Sequence, residues 1–505
     1  MKTILLSVLF SSAVAHAAVS LMPMPRRLAE KSGFYVSSNG FDKVAIEEMH
    51  DASVRKEGYR LEVTGERIRT WASSPAGFFY ARQTLRQVAQ ADGKQWRYPC
   101  VEIEDWPEYG WRGVMLDEGR HFFGKETVRK IMDLMVMYKL NVFHWHLTED
   151  QGWRLDIPAY PKLAECGSMR RASAKHGATL KKIAPFVYRC TEVNTQKYGP
   201  FFYTAEDVKE ILAYAKERHI EVIPEIDLPG HAKAALGAYP EMACFPERID
   251  AGAAEIHWGI HRDVFCMGND RTVRFLEDVI DYVCELFPSK IVHIGGDECP
   301  RLNWEECPKC QARMKKEGMK HEKELQAWIT RRIAERLEKK GRRLMGWDEI
   351  LEGDVPKSAI GMIWRTVQKD GEAKLSTPLE CAMKGHDLVM TPSPFCYFSA
   401  RQGLKHEPYE REGRIITLEK SYSFDPVADI PEGLRNRIIG GQCCMWSEYL
   451  WNEYDLAWRM WPRTFATAEI LWSAPKERDF AEFSKRAETE LRRLHSIGVQ
   501  GATLE

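Results

Sequence analysis

Between residues 113 and 445 the chain repeats one unit, a short apolar segment followed in most cases by a stretch with helical amphipathicity. The apolar segments are Gly113–Asp117, Val142–Leu147, Glu221–Ile226, Ile291–Ile294, Arg343–Trp347, Gly361–Trp364, Asp387–Met390 and Gly440–Met445. Eight segments of this length, too short for buried helices, predict strands. Parallel strands need crossovers of a dozen residues or more, and helices usually supply them. Thr127–Tyr138 places Val128, Ile131, Met132 and Met135 on one face, and Thr204 opens another helix with a Thr-x-x-Asp capping pattern ahead of Val208, Ile211, Leu212 and Ala215. Eight strand–helix units predict an α/β chain closed as a (β/α)8 TIM barrel. An open doubly wound sheet is the runner-up, because the seventh crossover is poor: residues 395–439 read mainly as loop.

Before the barrel, residues 18–105 read as a small α+β domain. Tyr59–Val63 and Arg67–Trp71 alternate like paired strands around a Thr64-Gly65-Glu66 turn, and Gly77–Gln87 follows as a helix. Asp105-Trp106-Pro107 marks the boundary, since proline ends regular structure. The barrel with its C-terminal helix then occupies residues 106–505. Residues 1–17 have the order of an export signal: Lys2, the apolar run Ile4–Phe10, and an Ala15-His16-Ala17 cleavage pattern. The mature chain is therefore expected to begin near Ala18, secreted or periplasmic. No later stretch approaches the roughly 20 apolar residues that span a membrane.

Lys+Arg is 72 and Asp+Glu 73, a net charge of -1 without the basic excess of a nucleic-acid or anionic-lipid binder. The 16 Trp are more informative, since indole faces stack on the C–H faces of sugars as well as filling cores. Among the 13 Cys, Cys443 and Cys444 read as buried small hydrophobes. Cys299, Cys307 and Cys310 end in a C-x-x-C. Structural zinc is one reading, but no fourth ligand is evident, so a disulfide or free thiols fit the three better.

In a (β/α)8 barrel the chemistry sits at the C-terminal ends of the strands. Polar and aromatic residues gather at those ends here: Asp117, Glu149-Asp150, Asp227, Asp297-Glu298, Trp347-Asp348, Trp364-Arg365 and Trp446-Ser447-Glu448. One or two would be loop solvation or helix caps. Six carboxylate-bearing ends, with Trp among them, point to a site for a polyol or sugar. Gly295-Gly296-Asp297-Glu298 is the sharpest of these. Neighbouring side chains on a strand face opposite ways, so two glycines that let the chain leave the strand allow both acids to meet one ligand. Two close carboxylates also separate in pKa, one ionised and one able to donate a proton.

Several motifs occur in one order: Trp111-Arg112-Gly113 with Leu116-Asp117 and Arg120-His121-Phe122; His144–Arg154; Pro224–His231; Gly295–Glu298; and Gln442–Glu448. Together they resemble the family 20 glycoside hydrolases, the β-N-acetylhexosaminidases, from about Leu21 to the last barrel helix. The resemblance implies a retaining hydrolysis of terminal β-linked GlcNAc or GalNAc with no protein nucleophile and no cofactor. It implies that Glu298 is the general acid/base and that Asp297 orients the acetamido group, with Tyr397 donating to the acetamido oxygen. Trp347, Trp364 and Trp446 would wall the sugar, Arg112 and Glu448 would hold its hydroxyls, and an Asp150–His231 pair would support Glu298. Tyr397-Phe398-Ser399 departs from the family pattern, which carries an aspartate at the last position, so recognition at O4 and O6 is expected to be looser or supplied elsewhere. Two other readings have discriminators. A non-catalytic sugar-binding barrel would lack the acid pair, and a metal-dependent hydrolase built on His144 and His146 would lose activity to a chelator.

Overall fold

The computed structural model describes residues 19–39, 43–175, 180–184, 187–369, 372–375, 378–403, 414–428, 430–473 and 478–504. Residues 1–17, read above as an export signal, lie outside them. The described residues divide into two compact units, one holding Pro25–Asp105 with Val19–Leu21, the other running on from Trp106 and including Met22–Met24.

In the first unit, strands Arg27–Ser37, Gln95–Asp105, Tyr59–Val63, Ile68–Ala72 and Glu47–His50 form a sheet in that order, with Gln90–Asp92 added beside Gln95–Asp105. Helix Pro75–Val88 starts where Ser74 accepts a hydrogen bond from the Gly77 N–H (3.3 Å), the ordinary way of satisfying an orphan donor at a helix start. Tyr59 on the sheet meets Thr84 on the helix through their hydroxyls at 2.6 Å.

The second unit is a closed parallel barrel. Its strands, labelled β1 to β8, are Trp111–Asp117, Val142–His146, Glu221–Glu225, Ile291–His293, Arg343–Trp347, Ile360–Ile363, Asp387–Met390 and Ile438–Met445. Each pairs with its chain neighbour, and β8 returns to β1 with Gly440 opposite Trp111. That closure excludes the open sheet. All seven residues of β1 are buried, which is why its apolar residues run together through Gly113–Leu116 rather than alternating with polar ones. The barrel interior is filled by residues such as Met115, Ile223, Met345, Met362, Val389 and Cys444. Thr204 caps helix Ala205–Glu217 reciprocally with Asp207. Among the described residues between β7 and β8, the helical elements are the short helices Ser393–Cys396 and Leu418–Tyr422 and a 3-10 turn at Glu432–Arg437. Among the described residues, no helix is long and apolar enough to cross a membrane.

Candidate active site

A cleft of about 520 Å³ opens at the C-terminal mouth of the barrel, lined by Arg120, Asp297, Glu298, Trp364, Tyr397, Ser399, Arg414, Trp446 and Glu448. The two acids leave β4 through Gly295 and Gly296, at φ +63° and +89°. A Cβ on Gly295 would lie 2.1 Å from Asp227 Oδ1, and one on Gly296 2.5 Å from Ile350 Cγ2, so both positions need glycine. Asp227 Oδ1 fixes the turn by accepting from the Gly296 N–H at 3.1 Å. Glu298 and His231 themselves sit at φ +47° and +44°, left-handed conformations that cost about 1–3 kcal/mol each and concentrate at functional sites.

His231 links two sets of carboxylates. Its Nδ1 hydrogen-bonds Asp150 Oδ2 at 3.0 Å and lies 3.2 Å from Glu149 Oε2, while its Nε2 lies 3.7 Å from Glu298 and 3.8 Å from Asp297. Burial opposes a charge on this ring, but the Glu149 carboxylate, the bond to Asp150 and the nearby Glu298 carboxylate outweigh it and hold the imidazolium well above its usual range. Burial pushes the Asp297 carboxyl up to about 7, with the His231 charge opposing the rise and Glu298 adding to it.

Facing the acids is an aromatic wall. Trp364 stacks on Tyr397 (6.1 Å, 12°), Tyr397 meets Trp446 (5.8 Å), and Trp446 meets Trp347 (5.6 Å). Tyr397 reaches this place because its loop runs beside β8, where the Phe398 N–H donates to the Cys444 carbonyl at 2.9 Å. Trp364 is held by Glu349 (Nε1–H to Oε2, 3.0 Å). Trp347 backs the wall from below, fully buried, and donates to Glu225 at 2.9 Å. Five buried polar atoms cluster here without a protein hydrogen-bond partner: Asp297 Oδ1, His231 Nε2, Ser399 Oγ, Trp446 Nε1 and Glu448 Oε2. Buried polar atoms in native proteins call for a partner, which a ligand or water can supply at an open cleft.

One sequence expectation is corrected. Arg112 does not reach the cleft, because it is the second residue of β1 and so lies at the opposite end of the barrel. Its guanidinium donates to the carbonyls of Lys139 (2.9 Å) and Tyr109 (2.7 Å) and sits 5.0 Å over the Trp472 ring. Arg120, three residues past the end of β1, occupies the cleft instead, 5.0 Å over Trp446 and paired with Asp117 (3.2 Å) and Glu149 (2.5 Å). Replacing Arg112 by Met is therefore expected to lower the melting temperature, since stranding buried carbonyls costs about 1–3 kcal/mol. It should leave kcat/KM per folded molecule unchanged, whereas Arg120→Lys should lower kcat/KM. Melting curves and steady-state kinetics on both variants decide the point, and a folded but catalytically impaired Arg112→Met would refute it.

His144 and His146 do not face the cleft. Both lie against Glu225 (2.8 and 2.5 Å), which His293 also approaches at 3.0 Å, and all four are fully buried in the barrel interior. A catalytic metal keeps a coordination position open to substrate, and this sealed cluster offers none. Glu225, Glu349, Arg120 and Arg414 are contributors that the sequence alone did not single out. Cys299 also proves separate from the group that Cys307 and Cys310 join, which is Cys244, Cys266, Cys307 and Cys310.

Two adjacent acids at a barrel mouth, one of them backed by a charged histidine and both facing a tryptophan wall, define a barrel glycoside hydrolase. The catalytic-domain profile of glycosyl hydrolase family 20 matches residues 109–475, and the domain 2 profile of the same family matches residues 18–106. The chain belongs to glycosyl hydrolase family 20. It is 40% identical over 455 residues to the β-hexosaminidase of Porphyromonas gingivalis, matching 88% of this chain and 54% of that protein, so it spans about half the relative's length. It is 33% identical to the β-hexosaminidase of Akkermansia muciniphila, over 86% of this chain and 83% of that one. A solved exo-β-N-acetylglucosaminidase of Vibrio harveyi, in complex with N-acetylglucosamine, superposes with a TM-score of 0.84 at 30% identity, covering 97% of this chain and 79% of that chain.

Proposed function

We propose that the protein is an exo-acting, retaining β-N-acetylhexosaminidase that removes terminal β-linked GlcNAc or GalNAc from glycans, with the substrate's own acetamido group as nucleophile. The observation that carries this reading is the Asp297–Glu298 pair, with His231 behind it and the Trp364–Tyr397–Trp446 wall in front. Glu298 delivers its proton to the glycosidic oxygen as the bond from that oxygen to the anomeric carbon breaks. The acetamido carbonyl oxygen bonds to the anomeric carbon from the other face, giving an oxazolinium ion. Asp297 accepts from the acetamido N–H, aims the carbonyl and offsets the positive charge. Glu298 then takes a proton from water, whose oxygen attacks the anomeric carbon and opens the ring with net retention. Because the nucleophile is tethered, its high effective concentration removes several kcal/mol from the barrier.

Tyr397 donates to the acetamido oxygen, and Trp347, Trp364 and Trp446 enclose its methyl group and the sugar face. Arg120 and Glu448 hold ring hydroxyls, Ser399 stands where many family members use an aspartate, and Arg414 lines the same cleft. The Asp150–His231 pair keeps Glu298 in position. A panel of p-nitrophenyl β-GlcNAc, β-GalNAc and β-glucoside tests the reading. Turnover of one or both acetamido sugars with little turnover of the glucoside is expected, and comparable rates on the glucoside would sink it, since that sugar lacks the nucleophile.

A further inference from the structure

Four cysteines from distant parts of the chain meet beside the site. The Sγ atoms of Cys244, Cys266, Cys307 and Cys310 all lie within 4.8 Å of one another, with 3.7 Å between Cys244 and Cys310, 3.7 Å between Cys266 and Cys310, and 3.8 Å between Cys266 and Cys307. All four are buried. Zinc–sulfur bonds of about 2.3 Å set the edges of a sulfur tetrahedron at about 3.8 Å, whereas a disulfide draws two sulfurs to about 2.05 Å. The observed edges match the first and not the second. We propose that Cys244, Cys266, Cys307 and Cys310 bind a zinc ion as a closed tetrathiolate. Soft thiolates in tetrahedral array suit zinc, and with all four positions filled by protein the site is structural, with none left for substrate.

Its position gives it a task. Cys244 and Cys266 belong to the long loop after β3, which carries Asp227 and His231. Cys307 and Cys310 stand just before and inside helix Pro308–Glu317, in the segment after β4 that begins with Asp297 and Glu298. The two segments pack backbone to backbone near the cluster, since a Cβ on Gly268 would fall 2.1 Å from the Lys309 carbonyl carbon. Phe265 continues the connection. It accepts from Trp304 Nε1–H at 3.0 Å and donates its own N–H to Pro229, two residues before His231, at 3.0 Å. A zinc ion here staples the loop holding His231 to the loop holding the acid pair.

Elemental analysis of the full-length protein, purified without added metal, should find about one zinc per chain. Titration with a mercurial thiol reagent should release that zinc to a chromophoric chelator, and cobalt exchange should give the visible absorption of a tetrahedral tetrathiolate. Cys266→Ser and Cys310→Ser should lose the metal and melt at lower temperature, whereas Cys299→Ser should keep it. If those variants do not fold, the wild-type metal content and thiol release still decide. Folded protein without stoichiometric zinc, iron in its place, or Cys244–Cys310 and Cys266–Cys307 disulfides in a non-reducing peptide map would each overturn the assignment. An unchanged melting temperature after zinc removal would overturn the stapling role.

Discussion

Changing Glu298 to Gln is expected to cut kcat/KM by about 10²–10⁴ on glycans whose leaving group is another sugar, the range that a positioned proton donor supplies. The side chain keeps its shape and its place near His231 Nε2, but it has no proton to give. A sugar alkoxide is a poor leaving group and needs that proton as the bond breaks. A p-nitrophenolate scarcely does, so the first step should suffer much less with the aryl glycoside. The second step still needs a base, so an oxazoline-type intermediate should build up, visible as a burst of nitrophenol ahead of a slow steady state. Parallel kinetics on chitobiose and p-nitrophenyl β-GlcNAc read both effects. Equal losses on the two substrates would remove Glu298 from the role of acid.

The barrel was legible because its strands are buried on both faces over most of their length and so appear as short apolar stretches, as in Gly113–Leu116 of β1. Arg27–Ser37 in the smaller unit is mostly exposed and polar; no hydrophobic period announces it, and pairing with Gln95–Asp105 makes it a strand. Within the site, the Gly295-Gly296 step exposed the acid pair directly. For Arg112 the sequence itself holds the correction. A residue that opens a barrel strand lies at the wrong end for chemistry, while Arg120 follows the strand's last residue and its Asp117 anchor. Glu225 could not be found this way. Its importance comes from three histidines on two neighbouring strands and from Trp347 on a third, which converge only once the barrel closes. The cysteine cluster was hidden for the same reason, since only Cys307 and Cys310 are close in sequence.

Asp297→Asn should act earlier than Glu298→Gln, slowing aryl and natural substrates alike by about 10²–10³, the cost of losing one preorganised electrostatic contact in a closed site. Asparagine can still accept a hydrogen bond from the acetamido N–H, but it carries no charge to offset the oxazolinium. The pH profile should shift as well. Burial and the Glu298 charge raise the Asp297 carboxyl to about 7. The role proposed for Asp297 needs the carboxylate, and a raised pKa keeps the proton on it to higher pH, so kcat/KM of the wild type should fall as pH drops through about 7. Asparagine does not titrate, so this acid limb should be absent from Asp297→Asn. A limb that persists in the variant would show that another group controls it.

The central claim is that Asp297 binds the acetamido group as it becomes the nucleophile. The most direct test is the inhibition constant of GlcNAc-thiazoline, a stable mimic of the cyclised intermediate, measured on the wild type and on Asp297→Asn. A mimic of the transient species should lose affinity in step with the rate that the substitution costs. The account predicts tight inhibition of the wild type and inhibition of Asp297→Asn weakened by a factor close to its loss in kcat/KM; equal inhibition of the two forms would contradict it.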